Sequence, residues 1–271
     1  DVLMQVYNVI GKTQGQFPMP FGRNIYLYLD LYLQNDASIK KAIDEAKYLN
    51  QKLKNNLLIV RITRPTTVQI MDYIKEELKH FPSIILLIDY GNKGFNKITK
   101  EDFRKNNIGM IMLTPEMFKN KENIQSVLDL KIPIFKFGKE NLKAVKRTVI
   151  ILNDTNSYEQ ISPIVFDISS QLKIKTKIFD LDPVGDKEGK TNLLDHFENL
   201  AKIFNEKIEV VTSGQNPIRE LKKQKDMLQL LPLKEKMFKK RFFFKFLYTN
   251  SDFIAFDLNK YNQLLIPIVE E

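Results

Sequence analysis

Short runs of apolar residues alternate with amphipathic stretches along the whole chain. The first run, Asn24 to Asp30, is mostly apolar, and an amphipathic stretch from Asp36 to Lys54 follows it. Apolar residues recur in that stretch at helical spacing, which predicts a strand followed by a helix. Up to Phe137 the pattern then predicts a second helix at Thr66 to Phe81 and strands at Leu57 to Ile62, Ile84 to Asp89, Ile108 to Leu113 and Ile132 to Phe135.

The same order of elements recurs from about Arg147 to Val269. The predicted strands of this second copy are Thr148 to Leu152, Thr176 to Leu181, Ile208 to Val211, Phe253 to Phe256 and Leu264 to Val269. Its predicted helices are Tyr158 to Leu172, Lys190 to Phe204 and Pro217 to Leu230. Each copy closes on an Ile-Pro-Ile sequence, beginning at Ile132 and at Ile266. The pattern therefore predicts an internal repeat.

Strands that are apolar along their whole length, and that alternate with helices, are typical of a parallel sheet covered on both faces. The predicted fold class is therefore α/β, with two tandem, doubly wound, Rossmann-like domains packed as a pseudo-dimer. Within the 271 residues we place a connector at 1–22, a first domain at 23–138 and a second domain at 146–271. Each domain is large enough to bury a core of its own.

Composition narrows the possible chemistry. The chain contains no cysteine, which excludes disulfides and thiolate metal sites and is compatible with a reducing, cytosolic compartment. With 28% charged residues, no stretch is apolar enough to span a bilayer. The two histidines, His80 and His196, lie in predicted helices without further ligands at metal-binding spacing, and we expect both on solvated surfaces. We therefore predict no metal site and no catalytic residues.

The net charge of +9 is spread over most helices and loops, so it does not favour a nucleic-acid partner. The densest basic run is Lys234 to Lys245, with the sequence KEKMFKKRFFFK. Basic residues beside phenylalanines can lie against an anionic membrane surface. The favoured interpretation is an insertion before a strand, with its lysines in solvent and Phe242 to Phe244 packed inward. Contact of segment 234–245 with an anionic membrane surface is the alternative.

The segment Val184-Gly-Asp-Lys-Glu-Gly-Lys-Thr191 lies between a predicted strand and a predicted helix, and it is close to the phosphate-binding pattern GxxxxGK[ST]. Valine takes the place of the first glycine, whose role is to let backbone N–H groups surround the β-phosphate. A polar turn is therefore favoured over a nucleotide hydrolase. The helix that follows can still hold an anion at its N-terminus, near Gly185, Gly189, Lys190 and Thr191.

Charged residues at strand ends are the other candidates for ligand binding. Asp30 and Asp154 lie at the ends of the first strands, and Arg64 and Asp182 follow the second strands, each just before a proline. In open α/β sheets, ligands bind in the crevice beyond the carboxyl ends of the strands. These four residues are therefore candidate ligand-binding residues. The alternative is that they only terminate strands.

The chain resembles the universal stress protein domain, in two tandem copies that span nearly its whole length. The resemblance rests on the element order, on Asp30 and Asp154, and on the closing sequences Ile132-Pro133-Ile134 and Ile266-Pro267-Ile268. ATP-binding members of that family carry a glycine-rich signature after the fourth strand. In this chain the segments directly after the predicted fourth strands, Thr114 to Asn123 and Asp257 to Gln263, contain no glycine. The resemblance therefore implies the family's scaffold without its usual ATP site.

Tandem domains of this kind occur as cytosolic C-terminal regions of bacterial monovalent cation/proton antiporters. The resemblance implies a non-enzymatic regulatory region of a Na+/H+ or K+/H+ antiporter at the inner face of the cell membrane. Its partners would be the transmembrane transport domain of the same chain and a second copy in a homodimer. Because the chain begins at Asp1 without methionine or a leader, we expect an excised fragment. In the antiporter that the resemblance implies, 1–22 would be the connector to the last membrane helix. The alternative is a free-standing, soluble tandem stress protein that binds an adenine nucleotide through Gly185 to Thr191.

Overall fold

The computed structural model describes residues 23–53, 57–63, 68–87, 94–152, 155–180, 187–203, 205–212, 217–235 and 255–268. The first half contains β1 (Asn24–Asp30), α1 (Asp36–Lys52), β2 (Leu58–Thr63), α2 (Val68–Leu78), β3 (Ser83–Leu87), α3 (Phe95–Lys105), β4 (Ile108–Leu113), α4 (Lys121–Asp129) and β5 (Ile134–Lys136). The second half contains β6 (Arg147–Leu152), α5 (Thr155–Leu172), β7 (Lys175–Asp180), α6 (Lys187–Ile203), β8 (Ile208–Thr212), α7 (Pro217–Lys223), β9 (Met227–Leu233) and β10 (Asn262–Pro267). The predicted connector at 1–22 lies outside the described residues.

The described strands form one ten-stranded sheet in the order β3-β2-β1-β4-β5-β10-β9-β6-β7-β8. Neighbouring strands are parallel, except that β5 and β10 pair antiparallel in the middle of the sheet. We call this antiparallel pair the seam. Counted within its own half, each set of five strands has the order 3-2-1-4-5. The predicted doubly wound, mostly parallel α/β fold is confirmed.

Helices cover both faces of the sheet, which explains why most residues of the inner strands are apolar. One face packs against α1, α2, α5 and α6, with residues such as Ile43, Ile74, Phe166 and Phe197 in a continuous core. The other face packs against α3, α4 and α7 through Phe95, Ile124 and Leu221. Every residue of β2 and of β4 is buried, so neither strand has a solvent face to alternate toward. None of the described helices is long and apolar enough to cross a bilayer.

Two predicted elements of the second half are wrong. The helix predicted from Pro217 to Leu230 ends at Lys223, and Met227–Leu233 is instead β9, with all seven residues buried. Its leucines favour a helix in isolation, but pairing with β6 on one side and β10 on the other holds them extended. The strand predicted at Phe253 to Phe256 is also wrong, because Ala255 and Phe256 form a helical turn.

The two Ile-Pro-Ile sequences are not equivalent in the sheet. Ile134 is the first residue of β5, whereas Ile266 and Pro267 are the last residues of β10. Across the seam Leu265 lies opposite Ile134. The shared sequence therefore marks opposite ends of the two closing strands, and it reflects the apolar composition of strand ends rather than a repeated position.

The segment that leaves β5 lies against the segment that enters β10. The Gly138 N–H donates to Asn262 Oδ1 at 2.7 Å, and the Glu140 N–H donates to the Lys260 carbonyl at 2.9 Å. In return, Asn262 Nδ2 donates to the Glu140 carbonyl at 3.0 Å. These bonds hold the two halves together beyond the end of the seam.

The buried carboxyl of Glu45 ties α1 to the chain between the halves. Glu45 Oε1 accepts from the Leu142 N–H at 2.8 Å and from Lys41 Nζ at 2.6 Å. Burial raises the pKa of Glu45, and the neighbouring Lys41 ammonium offsets part of that rise. A helix of the first half thus helps to fix the start of the second half.

Candidate functional site

The strand order creates two crevices at which ligands could bind. In each half the chain winds in opposite directions on the two sides of the first strand, so crevices open beyond the carboxyl ends of β1 and β4 and of β6 and β9. We call them crevice one and crevice two. Because β10 runs antiparallel to β5, the parallel strands of the first half and those of the second half point in opposite directions. The carboxyl ends of the two sets of strands therefore lie on opposite sides of the molecule. The two crevices therefore face away from each other.

Asp30 lies beside crevice one, as predicted from the sequence. It is the last residue of β1, is 3% exposed, and pairs with Thr63 at the end of β2. Its Oδ1 accepts the Tyr32 N–H at 3.1 Å, a local bond that fixes the turn leaving the strand. Arg64, the other candidate of this half, lies outside the described residues.

A polar contact joins the loops on the two sides of crevice one. Gln34 Nε2 donates to Oγ1 of Thr114, the residue after β4, at 2.9 Å. Thr114 is followed by a 3₁₀ turn at Pro115–Lys119, which buries Met117 and Phe118 in the core. A phosphate site at this position needs backbone N–H groups that point at the ligand, as glycine-rich loops provide. Here the segment is used for packing instead.

Crevice two has a different residue at the equivalent position. Lys234 follows β9 as Thr114 follows β4, and its side chain is 1% exposed. The interpretation that places the lysines of segment 234–245 in solvent is therefore wrong for this first residue. Beyond Glu235 the segment lies outside the described residues, as do the candidates Asp154, Asp182 and Gly185.

The helix after the phosphate-like motif begins earlier than predicted. Because α6 begins at Lys187, Gly189 and Lys190 lie in its first turn and Thr191 follows them with an exposed side chain. The backbone N–H groups of the first turn have no partners within the helix. Gly189, Lys190 and Thr191 therefore remain candidates for holding an anion, as predicted, although on a helix rather than in a loop.

A buried ion pair joins β2 to α3, and the sequence pattern did not reveal it. On β2, Arg61 Nε donates to Asp102 Oδ2 at 2.7 Å, and its Nη2 contacts Asp102 Oδ1. The Tyr26 hydroxyl on β1 donates to the same Oδ2 at 2.5 Å. Burial and the bond to Asp102 raise the pKa of Tyr26, so its hydroxyl remains a donor. Since Asp102 lies on α3, the cluster fixes that helix to two central strands.

The described residues do not assemble a metal-binding group. No three metal-ligating side chains come together among them. His80 is exposed just after α2, as expected, but His196 is half-buried, and its Nε2 lies 2.9 Å from Ser162 Oγ on α5. The expectation of a solvated surface is therefore wrong for His196. Since Ser162 is fully buried, this pair joins two helices rather than meeting a substrate.

Solved structures with the same fold include bacterial and archaeal stress proteins. A protein of Pseudomonas aeruginosa UCBPP-PA14 assigned to the universal stress proteins has a TM-score of 0.58 and 9% identity, over 90% of this chain and 92% of its own. A protein of unknown function from Pseudomonas aeruginosa PAO1 has a TM-score of 0.57 and 9% identity, with coverage of 90% and 92%.

A universal stress protein of Archaeoglobus fulgidus DSM 4304 has a TM-score of 0.56 and 12% identity, over 92% of this chain and 97% of its own. No family model and no curated protein matches the chain. At such low identity the likeness concerns the fold, which is the α/β fold of universal stress proteins.

Proposed function

We propose that this chain is a non-catalytic, cytosolic regulatory region of a bacterial monovalent cation/proton antiporter, located at the inner face of the cell membrane. In this proposal, residues 23–138 and 146–271 are two stress-protein-like domains packed as a pseudo-dimer. The chain would modulate transport by binding a ligand or partner better in one state of the transporter than in the other, because only differential affinity can shift an equilibrium.

The seam is the observation that carries this proposal. Two sets of strands with the same 3-2-1-4-5 order meet through one antiparallel strand pair. That pair comprises three residues from each half, Ile134, Phe135 and Lys136 opposite Leu265, Leu264 and Gln263. A change in either crevice can therefore reach the other half through a small, defined joint, which suits a module that transmits a signal.

The segments after the fourth strands support a function that does not use the usual ATP site of universal stress proteins. β4 is followed by the turn at Pro115–Lys119, and Gln34 bridges to Thr114 in front of it. After the corrected fourth strand, β9, the chain contains no glycine up to its last residue. The fourth strand of the second half is β9 rather than Phe253 to Phe256, and a glycine-rich segment is missing after β9 as well.

The alternative function is binding of an adenine nucleotide at crevice two. It is favoured by the position of α6, whose N-terminus follows β7 at the carboxyl edge of the second half and carries Gly189, Lys190 and Thr191. A helix N-terminus in this position attracts anions. In this alternative the chain would be a free-standing tandem stress protein.

A thermal-shift panel of nucleotides distinguishes the two functions. We expect ATP, ADP and AMP, with and without magnesium, to leave the melting temperature of the chain unchanged, because the sequence directly after β4 and after β9 contains no glycine. If nucleotide binding occurs through α6, ATP raises the melting temperature and Lys190→Ala abolishes the rise. Lys202→Ala, an exposed lysine in the last turn of the same helix, is the matched control and would retain it. That pattern would contradict the absence of a nucleotide site and favour the alternative.

A further inference from the structure

The seam contains a row of buried polar side chains on one face of the sheet. Lys136 on β5 lies opposite Gln263 on β10, and Gln263 lies beside Gln229 on β9. Gln263 Nε2 donates to Gln229 Oε1 at 2.9 Å and to the Ala255 carbonyl at 2.8 Å. Lys136 is 2% exposed, and both glutamines are fully buried. Three neighbouring strands from the two halves are thus joined by one polar row inside an otherwise apolar core.

Among the described residues, Lys136 has acceptors for two hydrogens but no carboxylate partner. Its Nζ donates to the Phe256 carbonyl at 2.6 Å and to Gln263 Oε1 at 3.1 Å. Among the described residues no carboxylate oxygen lies within ion-pair distance of Nζ. A neutral amine has two N–H donors, so these two acceptors satisfy both of its donors. An ammonium has a third N–H and a charge, and both must be accommodated in the core.

Two aromatic rings partly offset the cost of burying the ammonium form of Lys136. Nζ lies 4.1 Å from the centre of the Phe256 ring and 5.8 Å from that of Phe118. The charge that acts on Lys136 is that of Asp257, an exposed residue next to Phe256, and it favours the ammonium. The buried carboxyl of Glu45 belongs to the opposite face, where α1 packs. These contributions are smaller than the cost of burial, which lowers the pKa of Lys136 to about 8.

We propose that Lys136 is a proton-binding site that makes the joint between the two halves sensitive to pH. With Lys136 neutral, its two bonds connect β5 to β10 and to the helical turn at Phe256, and the seam is closed. Protonation places an ion in the seam that has no carboxylate partner among the described residues, and it weakens the pairing of β5 with β10. This inference is independent of the proposed transport function, since it concerns the chain alone.

The direction of the pH effect follows from linkage. The folded pKa is about 8, below the ordinary lysine value of 10.5, so the closed seam binds fewer protons than the open one between these values. Seam stability therefore rises with pH through this window and is constant well below pH 8. A single proton with these pKa values gives about a tenfold gain in the closing equilibrium from pH 7 to pH 9.

Amide hydrogen exchange on the whole chain tests the proposal. After correction for intrinsic rates, we expect protection of the Gln263 and Leu265 amides in β10, which face β5, to increase about tenfold from pH 7 to pH 9. The amides of Ile59 and Val60 in β2 serve as the internal reference and should not share this gain. Equal seam protection at both pH values, or the same gain in β2, would overturn the proposal.

Two variants assign the effect to Lys136 itself. Lys136→Met keeps the length of the side chain and removes the proton site, so seam protection should no longer depend on pH. Lys139→Met, three residues further along and exposed, should behave like the wild-type chain. A gain that persists in Lys136→Met would overturn the assignment. If Lys136→Met does not fold, the comparison of β10 with β2 in the wild-type chain still decides whether the stability of the seam depends on pH.

Discussion

Gly138→Ala is expected to destabilise the chain strongly, although it adds only one methyl group. A Cβ at position 138 would overlap the carbonyl carbon and oxygen of Tyr261. These are backbone atoms held by the bonds between Gly138 and Asn262, so they cannot turn aside as a flexible side chain could. Overpacking of this kind costs about 3 kcal/mol of unfolding free energy. Urea unfolding of the variant measures the loss.

Gly94→Ala is the matched control for this prediction. Gly94 is the N-cap of α3, and a Cβ there would have no atom within 4 Å. Alanine is a poorer N-cap than glycine, so a loss of about 1 kcal/mol or less is expected. If Gly138→Ala proved as stable as Gly94→Ala, the close approach of the two segments that flank the seam would be refuted.

Asp102→Ala is expected to cause the second large loss, because it leaves the guanidinium of Arg61 buried without its partner. Arg61 is 8% exposed and gives two of its donors to Asp102. Removing one member of a buried ion pair costs about 3–5 kcal/mol, mostly through the unpaired charge that remains. The Tyr26 hydroxyl also loses its acceptor. Urea unfolding at neutral pH measures the effect.

Two further variants separate the buried charge from other causes. Asp72→Ala removes an exposed carboxyl on α2 and should change stability by about 0.5 kcal/mol or less. The double variant Arg61→Met with Asp102→Leu removes both charges and should recover much of the stability lost in Asp102→Ala. If the double variant were as unstable as Asp102→Ala, packing of α3 rather than the unpaired charge would explain the loss.

The first half was largely predictable because the apolar composition of its strands distinguishes them from the segments around them. Ile108 to Leu113 was placed correctly to the residue, and Asn24 to Asp30 likewise, since both runs are apolar and bounded by polar residues. Asp30 was found for the same reason, as the acid that ends the first run. The helices α3 and α4 were missed, because Phe95–Lys105 and Lys121–Asp129 carry few apolar residues among many charged ones.

The second half was harder to predict because tertiary pairing decides its fourth strand. Met227–Leu233 is a strand since β6 and β10 enclose it, and a leucine-rich sequence carries no local sign of that. The Arg61–Asp102 pair could not be predicted for a related reason, because Asp102 lies on α3, a helix that the sequence pattern did not indicate. A lone arginine inside the apolar run LIVRIT was the available signal, because a buried arginine requires a carboxylate partner.

The buried lysines likewise escaped the sequence analysis. Lys136 and Lys234 each come directly after apolar runs, where a lysine is usually a strand terminator in solvent. Which of the many lysines of a basic chain is buried depends on the strand that pairs beside it. For Lys136 that strand is β10, more than a hundred residues further along the chain.

The central claim, that this chain regulates cation/proton exchange, is tested most directly by transport in membrane vesicles. Exchange would be measured for the full-length product of the gene and for the product truncated before Arg23, over a range of pH and of Na+ and K+ concentrations. We expect the truncated product to retain exchange but to differ in its dependence on pH or on cation concentration. Identical profiles for the two products, or a full-length product that carries out no exchange, would contradict the account.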